Sequence, residues 1–503
     1  MQSGSAEQVT HAVPGGGALP ELAGNWIAGR EGPAADGGTL DKRSPVDGRL
    51  LCRVARSRAE DVAAAVAAAR AAQPAWAAMP GVRRGLVLHE VAEALRRRRE
   101  AMARVVALET GKSFREALAE TDGAVAQGLF MAGEGQRLYG RTTTSAVEGR
   151  QALTVRQPVG VAGLIVAANT PIANVAWKVF PALVCGNAAV LKAPEDAPLT
   201  AWLFARIAHE AGLPPGVLNV VQGYGPEAGR ALAAHPEVGV VSFTGSTAVG
   251  REIAETCARR LAKVSLELGG KNPFVVCDDA DLEAAVRWAA LSAFSNAGQR
   301  CAAGSRIIVF DAVYERFRDM LVARTRALRV GPGDEDDLGP VINERQLGRM
   351  LAAVDRAARA GARVLTGGGR LTDPEHRDGC YMAPTLIEGA GPDDEISTTE
   401  LFGPIACLYR VRDFEEALAL ANRSPYGLTA AIHTRNVHRA MEFVRRVEAG
   451  VAVVNGGTYG SEPHMPFGGL KQSGNGTREP GPEALDVYSE LKDVYIHVDG
   501  AAT

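Results

Sequence analysis

The sequence predicts an α/β protein: a doubly wound parallel sheet, a second α/β unit, and a small β arm. Three observations carry that reading. The chain has 503 residues, 46% of them hydrophobic, which is too many for one core and suits two or three domains of ~100–200 residues each. From residue 158, short apolar runs alternate with helix-like stretches four times over, the pattern of parallel strands covered by helices on both faces. Two further segments, 142–155 and 487–498, alternate apolar with polar and fit neither unit. Lone strands cannot bury a face, so these read as an arm completed by another subunit.

Taken in order, the first residues are rich in Gly, Pro and small polar side chains and read as a flexible tail without a signal peptide. NWIAGR and the turn Ser44-Pro45-Val46-Asp47-Gly48 suggest short strands. Ser57 to Glu60 reads as a capping box opening an Ala-rich helix that runs to Gln73, before Pro74. A second helix starts near Val82, with Val82, Leu86, Val91, Leu95, Met102 and Val105 on one stripe. The run Arg96-Arg97-Arg98-Arg99 is read as a solvated face, because no aromatic residue interleaves with it. Strands are expected at 161–167, 188–191, 217–221, 239–243 and 263–266, with helices at 171–185, 196–211, 226–234 and 247–261 between them. The second unit then has helices at 281–297 and 312–328 and strands at 306–310 and 451–454. Ligands on doubly wound sheets bind beyond the carboxyl ends of the strands. Asn169, Lys192, Glu195, Gly245, Ser246 and Glu267 all fall there.

Charge excludes other partners. Lys plus Arg (55) against Asp plus Glu (58) gives −3, so no general field attracts nucleic acid or an anionic membrane. No apolar run reaches the ~18 residues of a spanning helix. The seven cysteines are scattered with no C-x-x-C pair, which argues against a disulfide framework and against a zinc site or other metal. A soluble, cytoplasmic protein is expected. Lysine is scarce: 8 of the 55 basic residues, leaving 55 − 8 = 47 arginines, so each lysine marks a position where Arg was not used.

Cys301 lies in Ser295-Asn296-Ala297-Gly298-Gln299-Arg300-Cys301-Ala302-Ala303-Gly304, a small, polar, turn-rich stretch. Cys185, Cys277 and Cys407 lie in apolar runs and read as inert core thiols. Context alone leaves Cys301 as a nucleophile or a small loop residue. Glu267, before Gly269-Gly270-Lys271, is either a mobile carboxylate that reaches a water or the partner of Lys271. The turns Gly223-Tyr224-Gly225 and Gly245-Ser246-Thr247-Ala248-Val249-Gly250 could each hold a phosphate or merely pack a helix.

Together these motifs change weight. Glu109-Thr110-Gly111-Lys112, Pro158-Val159-Gly160-Val161, Asn169, Lys192-Ala193-Pro194-Glu195, Phe243-Thr244-Gly245-Ser246, Glu267-Leu268-Gly269-Gly270-Lys271, Gly298-Gln299-Arg300-Cys301, Glu400-Leu401-Phe402-Gly403-Pro404 and Pro466-Phe467-Gly468-Gly469 through Gly474 occur in the order and spacing of one family. Across roughly residues 24–498 the chain resembles the NAD(P)-dependent aldehyde dehydrogenase superfamily, of the hydrolytic, non-acylating type. The resemblance implies an aldehyde dehydrogenase-like fold. Its parts are a tail over 1–23, an NAD-binding domain over 24–138 and 158–268, a catalytic domain over 269–480, and an oligomerisation arm over 139–157 and 481–503, in a homodimer or homotetramer.

The resemblance also implies roles. Cys301 attacks the aldehyde, Asn169 stabilises the oxyanion, and Glu267 activates the water that hydrolyses the thioester. Lys192 and Glu195 hold the adenosine ribose, Gly245 and Ser246 the pyrophosphate, Glu400 the nicotinamide ribose, and Phe402 packs near the nicotinamide. Glu195 favours NAD over NADP because a carboxylate repels a 2′-phosphate; some members with this pattern accept both. Departures bear on the substrate. Ala167-Ala168-Asn169-Thr170-Pro171 replaces the family's frequent Pro-Trp-Asn-Phe-Pro, and the mouth loop carries Tyr459, Glu462 and His464. With Trp177 and Asn174 these suggest a small or polar aldehyde or semialdehyde, and Arg300, beside the nucleophile, either binds a substrate carboxylate or makes a structural hydrogen bond or points outward. The rivals are a CoA-acylating relative and a catalytically silent protein on the same fold.

Overall fold

The computed structural model describes residues 12–13 and 17–498. The first sheet has seven strands. Five run parallel in the spatial order Lys263–Glu267, Val238–Thr244, Val161–Ile165, Ala188–Lys192, Leu218–Val221; the antiparallel pair Asn25–Ile27 and Arg30–Gly32 closes one edge. The central strands are buried along their whole length, which is why they read as continuous apolar runs. The chain starts in the middle at Val161, builds outward to Leu218, then returns to lay Val238 on the other side of Val161. That reversal is the topological switch point, and it opens a crevice between the loops that follow the two central strands.

Helices Gly81–Arg97, Arg99–Thr110, Phe114–Glu134, Pro171–Val184 and Pro198–Glu210 pack on one face, with Leu88, Met102, Phe180 and Phe204 fully buried. Ala59–Ala78 and Thr247–Ala258 cover the other, through Val62, Val66, Ile253 and Cys257. The second sheet runs Arg363–Thr366, Thr385–Glu388, Ile405–Val411, Arg306–Phe310, Pro273–Val276, Thr429–His433, Val451–Val454, parallel except for its first pair.

Several expectations need correcting. The first helix runs through Pro74 to Ala78. Pro74 lies on the exposed side, where water can take up the carbonyl it leaves unpaired, and Trp76, donating its indole N–H to Leu183 O at 2.9 Å, anchors the last turn. Ser57 does not cap; its hydroxyl donates to Asn25 Oδ1 at 2.7 Å, and Asp61 accepts the Arg58 N–H at 3.0 Å instead. The single stripe from Val82 to Val105 is two helices broken at Arg98, with Val82 and Leu86 exposed.

The segments read as lone strands pair with each other: Ser489–His497 runs antiparallel to Arg150–Pro158 over its full length, and Thr142–Thr144 adds a third strand. Val487 and Tyr488 are buried in the short helix Ala484–Tyr488 instead of the strand. The end of the expected tail is structured, since Leu22–Ala23 pairs with Leu50–Ala55; residues 1–11 and 14–16 of that tail lie outside the described residues.

Candidate active site

The helix Leu282–Phe294 ends in a reversal that no regular element would make. Asn296, Ala297 and Gly298 all take left-handed backbone angles, φ 53°, 52° and 66°, and a Cβ at residue 298 would collide with the Gly403 carbonyl. Strain of this kind, about 1–3 kcal/mol per non-glycine residue, persists only where the surroundings over-determine it. Here the reversal delivers Cys301 to the crevice. Asn272 clamps the loop: its amide donates to the carbonyls of Cys301 (2.8 Å) and Ala303 (2.9 Å), and its oxygen accepts the Thr429 N–H at 3.0 Å.

Asn169, after the central strand, is fixed from three sides. Its Nδ2 donates to Gln299 O at 2.9 Å, its Oδ1 accepts from Asn174 at 3.3 Å, and its backbone carbonyl accepts from Lys112 at 2.7 Å and Asn296 at 3.1 Å. One amide N–H of Asn169 remains free for an incoming oxygen.

Two cavities meet at Cys301. A cleft of about 260 Å³ is lined by Asn169, Asn174, Gly245, Ser246, Glu267, Cys301, Glu400 and Phe402. A tunnel of about 480 Å³ on the other side is lined by Glu116, Gln127, Trp177, Arg300, Cys301 and Tyr459 among others. A larger hollow of about 1050 Å³ lies on the second sheet among Arg318, Arg363, Arg410 and Glu388. Its charges are paired with one another and it holds no nucleophile, so size does not mark the site.

Burial pushes the Cys301 thiol up to about 12, with Glu400 and Glu267 adding to the effect. Burial, reinforced by Glu479 and opposed by Lys178 and Arg478, holds the Glu267 carboxyl well above the ordinary carboxylate range. Both Glu267 oxygens are buried without a partner, and Lys271 makes no ion pair with Glu267, which removes the structural alternative for that carboxylate. Burial thus favours the protonated form of both groups, and each must release its proton for chemistry to run.

Behind Glu267 lies a buried pair, Lys178 Nζ to Glu479 Oε2 at 2.7 Å, each side chain 1% exposed. Ser242 joins it, accepting from Lys178 and donating to Glu479, both at 2.6 Å, and the Tyr488 hydroxyl donates to Glu479 at 3.2 Å.

At the carboxyl end of the strand Ala188–Lys192, outside the residues that line the cleft, Lys192 meets Glu195 at 2.8 Å. Against burial, Lys192 holds the Glu195 carboxyl below its usual value. Ser246 caps the twelve-residue helix Thr247–Ala258, and a Cβ at Gly245 would strike the Phe243 ring. Glu400 is pressed against Gly269, where a Cβ would hit its carboxylate, and accepts the Gly270 N–H at 2.9 Å. Burial moves Glu400 up to about 7. A helix N-terminus beside a bare glycine backbone suits a pyrophosphate, and carboxylates at either end suit ribose hydroxyls; this donor set fits a dinucleotide.

Trp177, Arg300 and Tyr459 line the tunnel, whereas Asn174 sits behind Asn169 on the cleft side. His464 does not line the tunnel. It is exposed, lies 3.5 Å from Glu462 and packs toward Phe130, while Glu462 and Pro463 form the rim. The Gly223-Tyr224-Gly225 turn lines neither cavity; Arg56 pairs with Glu227 just beyond it.

Sequence reasoning missed Asn272, Asn296, Glu116, Glu120, Gln127 and Glu479. A signal existed for three of these: Glu116, Glu120 and Gln127 recur at helical spacing in Phe114–Glu134, a polar stripe turned inward. Lysine scarcity was the available pointer to Lys178.

The aldehyde dehydrogenase family model matches residues 33–494. The chain is 38% identical over 475 residues to the α-ketoglutaric semialdehyde dehydrogenase of Bacillus subtilis (strain 168), covering 94% of this chain and 97% of that one. Its structure is similar to that of PnpE from Pseudomonas sp. WBC-3, with TM-score 0.92, 38% identity, and 95% and 98% of the two chains covered. It is also similar to betaine aldehyde dehydrogenase from Staphylococcus aureus in complex with NAD+, with TM-score 0.93, 32% identity, and 94% and 95% covered.

Proposed function

The chain belongs to the aldehyde dehydrogenase family, and from that premise we propose that it oxidises a small polar aldehyde to the carboxylic acid with NAD, through a covalent intermediate on Cys301. The observation that carries this is the position of Cys301 at the junction of cleft and tunnel, with the free Asn169 amide and the unpartnered Glu267 carboxyl facing the same cleft.

A free aldehyde carbon is too electron-poor to release hydride. Loss of the Cys301 proton lets its sulfur add to that carbon, and the Asn169 amide and the Cys301 backbone N–H receive the oxyanion. NAD, when bound, supplies the acceptor for the hydride that the resulting tetrahedral carbon expels. The product is a thioester on Cys301. Glu267, with no hydrogen bond to break, takes a proton from water as that water attacks the thioester; the acid leaves and the thiol is restored. Lys192, Glu195, Gly245, Ser246, Glu400 and Phe402 hold the dinucleotide. Glu195 disfavours a 2′-phosphate, so NAD is preferred to NADP.

Two matched relatives are named for polar aldehydes, one a semialdehyde and one betaine aldehyde, and the charged and amide side chains Glu116, Gln127 and Arg300 in the tunnel agree with that class. Glu267 argues against a CoA-acylating enzyme, which has no need of a base for water. The retained Cys301, Asn169, Glu267 and Glu400 argue against a silent protein.

We assign residues 24–138 and 158–268 to cofactor binding, 269–480 to catalysis, and 139–157 with 481–503 to an arm that joins a homo-oligomer; Leu491, Tyr495 and Ile496 on that arm are exposed and apolar. Seven unpaired cysteines support a reducing, cytoplasmic setting. Among the described residues no helix is long and apolar enough to cross a membrane. The test is an NADH-coupled screen of short, polar, aromatic and semialdehyde substrates with product analysis. Acid formed without added CoA is expected, and NADH formation only when CoA is added would overturn the hydrolytic route.

A further inference from the structure

A buried ammonium stands behind the turn that carries Glu195. Lys42, on the strand Thr39–Arg43, is 3% exposed, and its Nζ donates to two main-chain carbonyls, Glu109 O at 2.7 Å and Asp196 O at 2.6 Å. The first carbonyl lies in the last turn of the helix Arg99–Thr110, and the second belongs to the residue directly after Glu195. An ammonium is a compact charge whose donors rotate to meet acceptors on separate segments, whereas a guanidinium presents a broad, fixed fork. That difference gives Lys42 a reason to be lysine in a chain that otherwise writes arginine.

Asp196 is held from a second side. Its carboxylate accepts the Asn343 side-chain amide at 3.0 Å, and Asn343 Oδ1 accepts the Gln346 N–H at 2.9 Å, capping the helix Glu344–Arg359. Just past Asp196, the Glu109 carboxylate accepts the N–H groups of Leu199 and Thr200, at 2.8 and 2.9 Å, and fixes the start of the helix Pro198–Glu210. The turn between the strand Ala188–Lys192 and that helix is therefore pinned one residue beyond Glu195. The Glu195 side chain itself is 30% exposed and meets only Lys192, so it stays open to a ligand.

We propose that Lys42 and Asn343 are positioning residues that hold Asp196 from two sides and thereby aim the Glu195 carboxylate at the adenosine 2′-hydroxyl. Neither residue touches the dinucleotide. Without the Lys42 ammonium, the Asp196 and Glu109 carbonyls lose a buried donor, and the turn shifts to find another. A small displacement at Glu195 spoils one directional hydrogen bond to a charged acceptor. The loss falls on the adenosine half of the cofactor and spares the chemistry at Cys301. This role rests on the proposed binding of NAD with Glu195 at the adenosine ribose, and adds the residues that set that grip.

The test measures dissociation constants by calorimetry for the full-length protein with NAD and with the NAD analogue that lacks the adenosine 2′-hydroxyl. The wild type is expected to bind NAD about tenfold more tightly than the analogue, the worth of one hydrogen bond to a charged acceptor. Lys42→Met should weaken NAD about tenfold and leave the analogue within about twofold, bringing the ratio close to one. Asn343→Ala, which releases Asp196 from the outer side, should lower the ratio about threefold. Glu195→Ala should collapse the ratio as well, and adding Lys42→Met to it should weaken NAD no further. A merely structural contribution from Lys42 would weaken both dinucleotides alike. An unchanged ratio in Lys42→Met, or in Asn343→Ala if Lys42→Met does not fold, overturns the proposal. Equal wild-type affinity for the two dinucleotides overturns the ribose contact and this role together, while leaving NAD as the cofactor. No binding of either dinucleotide overturns the cofactor reading as well.

Discussion

Replacing Lys178 with Met leaves Glu479 buried without the ammonium that meets it at 2.7 Å; replacing Glu479 with Gln strands the ammonium instead. Removing one member of a buried ion pair costs about 3–5 kcal/mol because the remaining charge stays desolvated, whereas removing both leaves no orphan charge. The double variant should therefore be more stable than the sum of the single losses predicts, by about 2 kcal/mol or more. The same pair acts on Glu267, whose proton affinity is raised by Glu479 and lowered by Lys178. Glu267 works as a base only when ionised, so deacylation rises with pH as it loses its proton. Lys178→Met removes a charge that favours ionisation and moves the rising limb to higher pH. Glu479→Gln removes a charge that opposes ionisation and moves the limb to lower pH. Both single variants are thus destabilised, yet their pH profiles shift in opposite directions. Urea unfolding followed by tryptophan fluorescence reads the first effect, and kcat against pH reads the second. Shifts in the same direction, or strictly additive stability losses, would refute the coupling.

Cys301→Ala should abolish NADH formation while leaving NAD binding measurable by fluorescence titration. Asn169→Ala should slow hydride transfer in stopped flow by about 10²–10³, the cost of one lost oxyanion donor. Glu267→Gln should preserve a pre-steady-state burst of NADH and slow the turnover that follows; a full-rate steady state with no burst contradicts its role. Burial moves the Glu400 carboxyl up to about 7, and only its ionised form accepts from both ribose hydroxyls. NAD affinity should therefore weaken as pH falls through that value, and Glu400→Gln should flatten the dependence.

The first sheet was legible because its strands are buried on both faces, and the crevice followed from topology alone. The reversal that presents Cys301 was not. Asn296 and Gly298 are residue types that tolerate left-handed backbone, but Ala297 is not, and the close approach of Gly298 to the Gly403 carbonyl involves a residue more than a hundred positions later. The arm was recognisable as strand, but the pairing of Arg150–Pro158 with Ser489–His497 joins segments more than three hundred residues apart, beyond any local pattern. Pro74 misled because its exposed position made a helix-breaking residue tolerable. The tunnel's polar stripe was present in the helix Phe114–Glu134, yet its inward direction becomes visible only when that helix packs beside Asn169.

Among the described residues, few lysines meet solvent. Lys42, Lys112, Lys178, Lys192 and Lys271 are all buried. Of the remaining lysines, Lys263 donates to the carbonyls of Asp486 and Ser489, and Lys471 to those of Asn422 and Ser424. Lys492 stands exposed on the arm strand Ser489–His497. Among the described lysines, amine-directed acylation should therefore favour Lys492 on the arm. A subunit docking across that strand would register as loss of one labelled peptide.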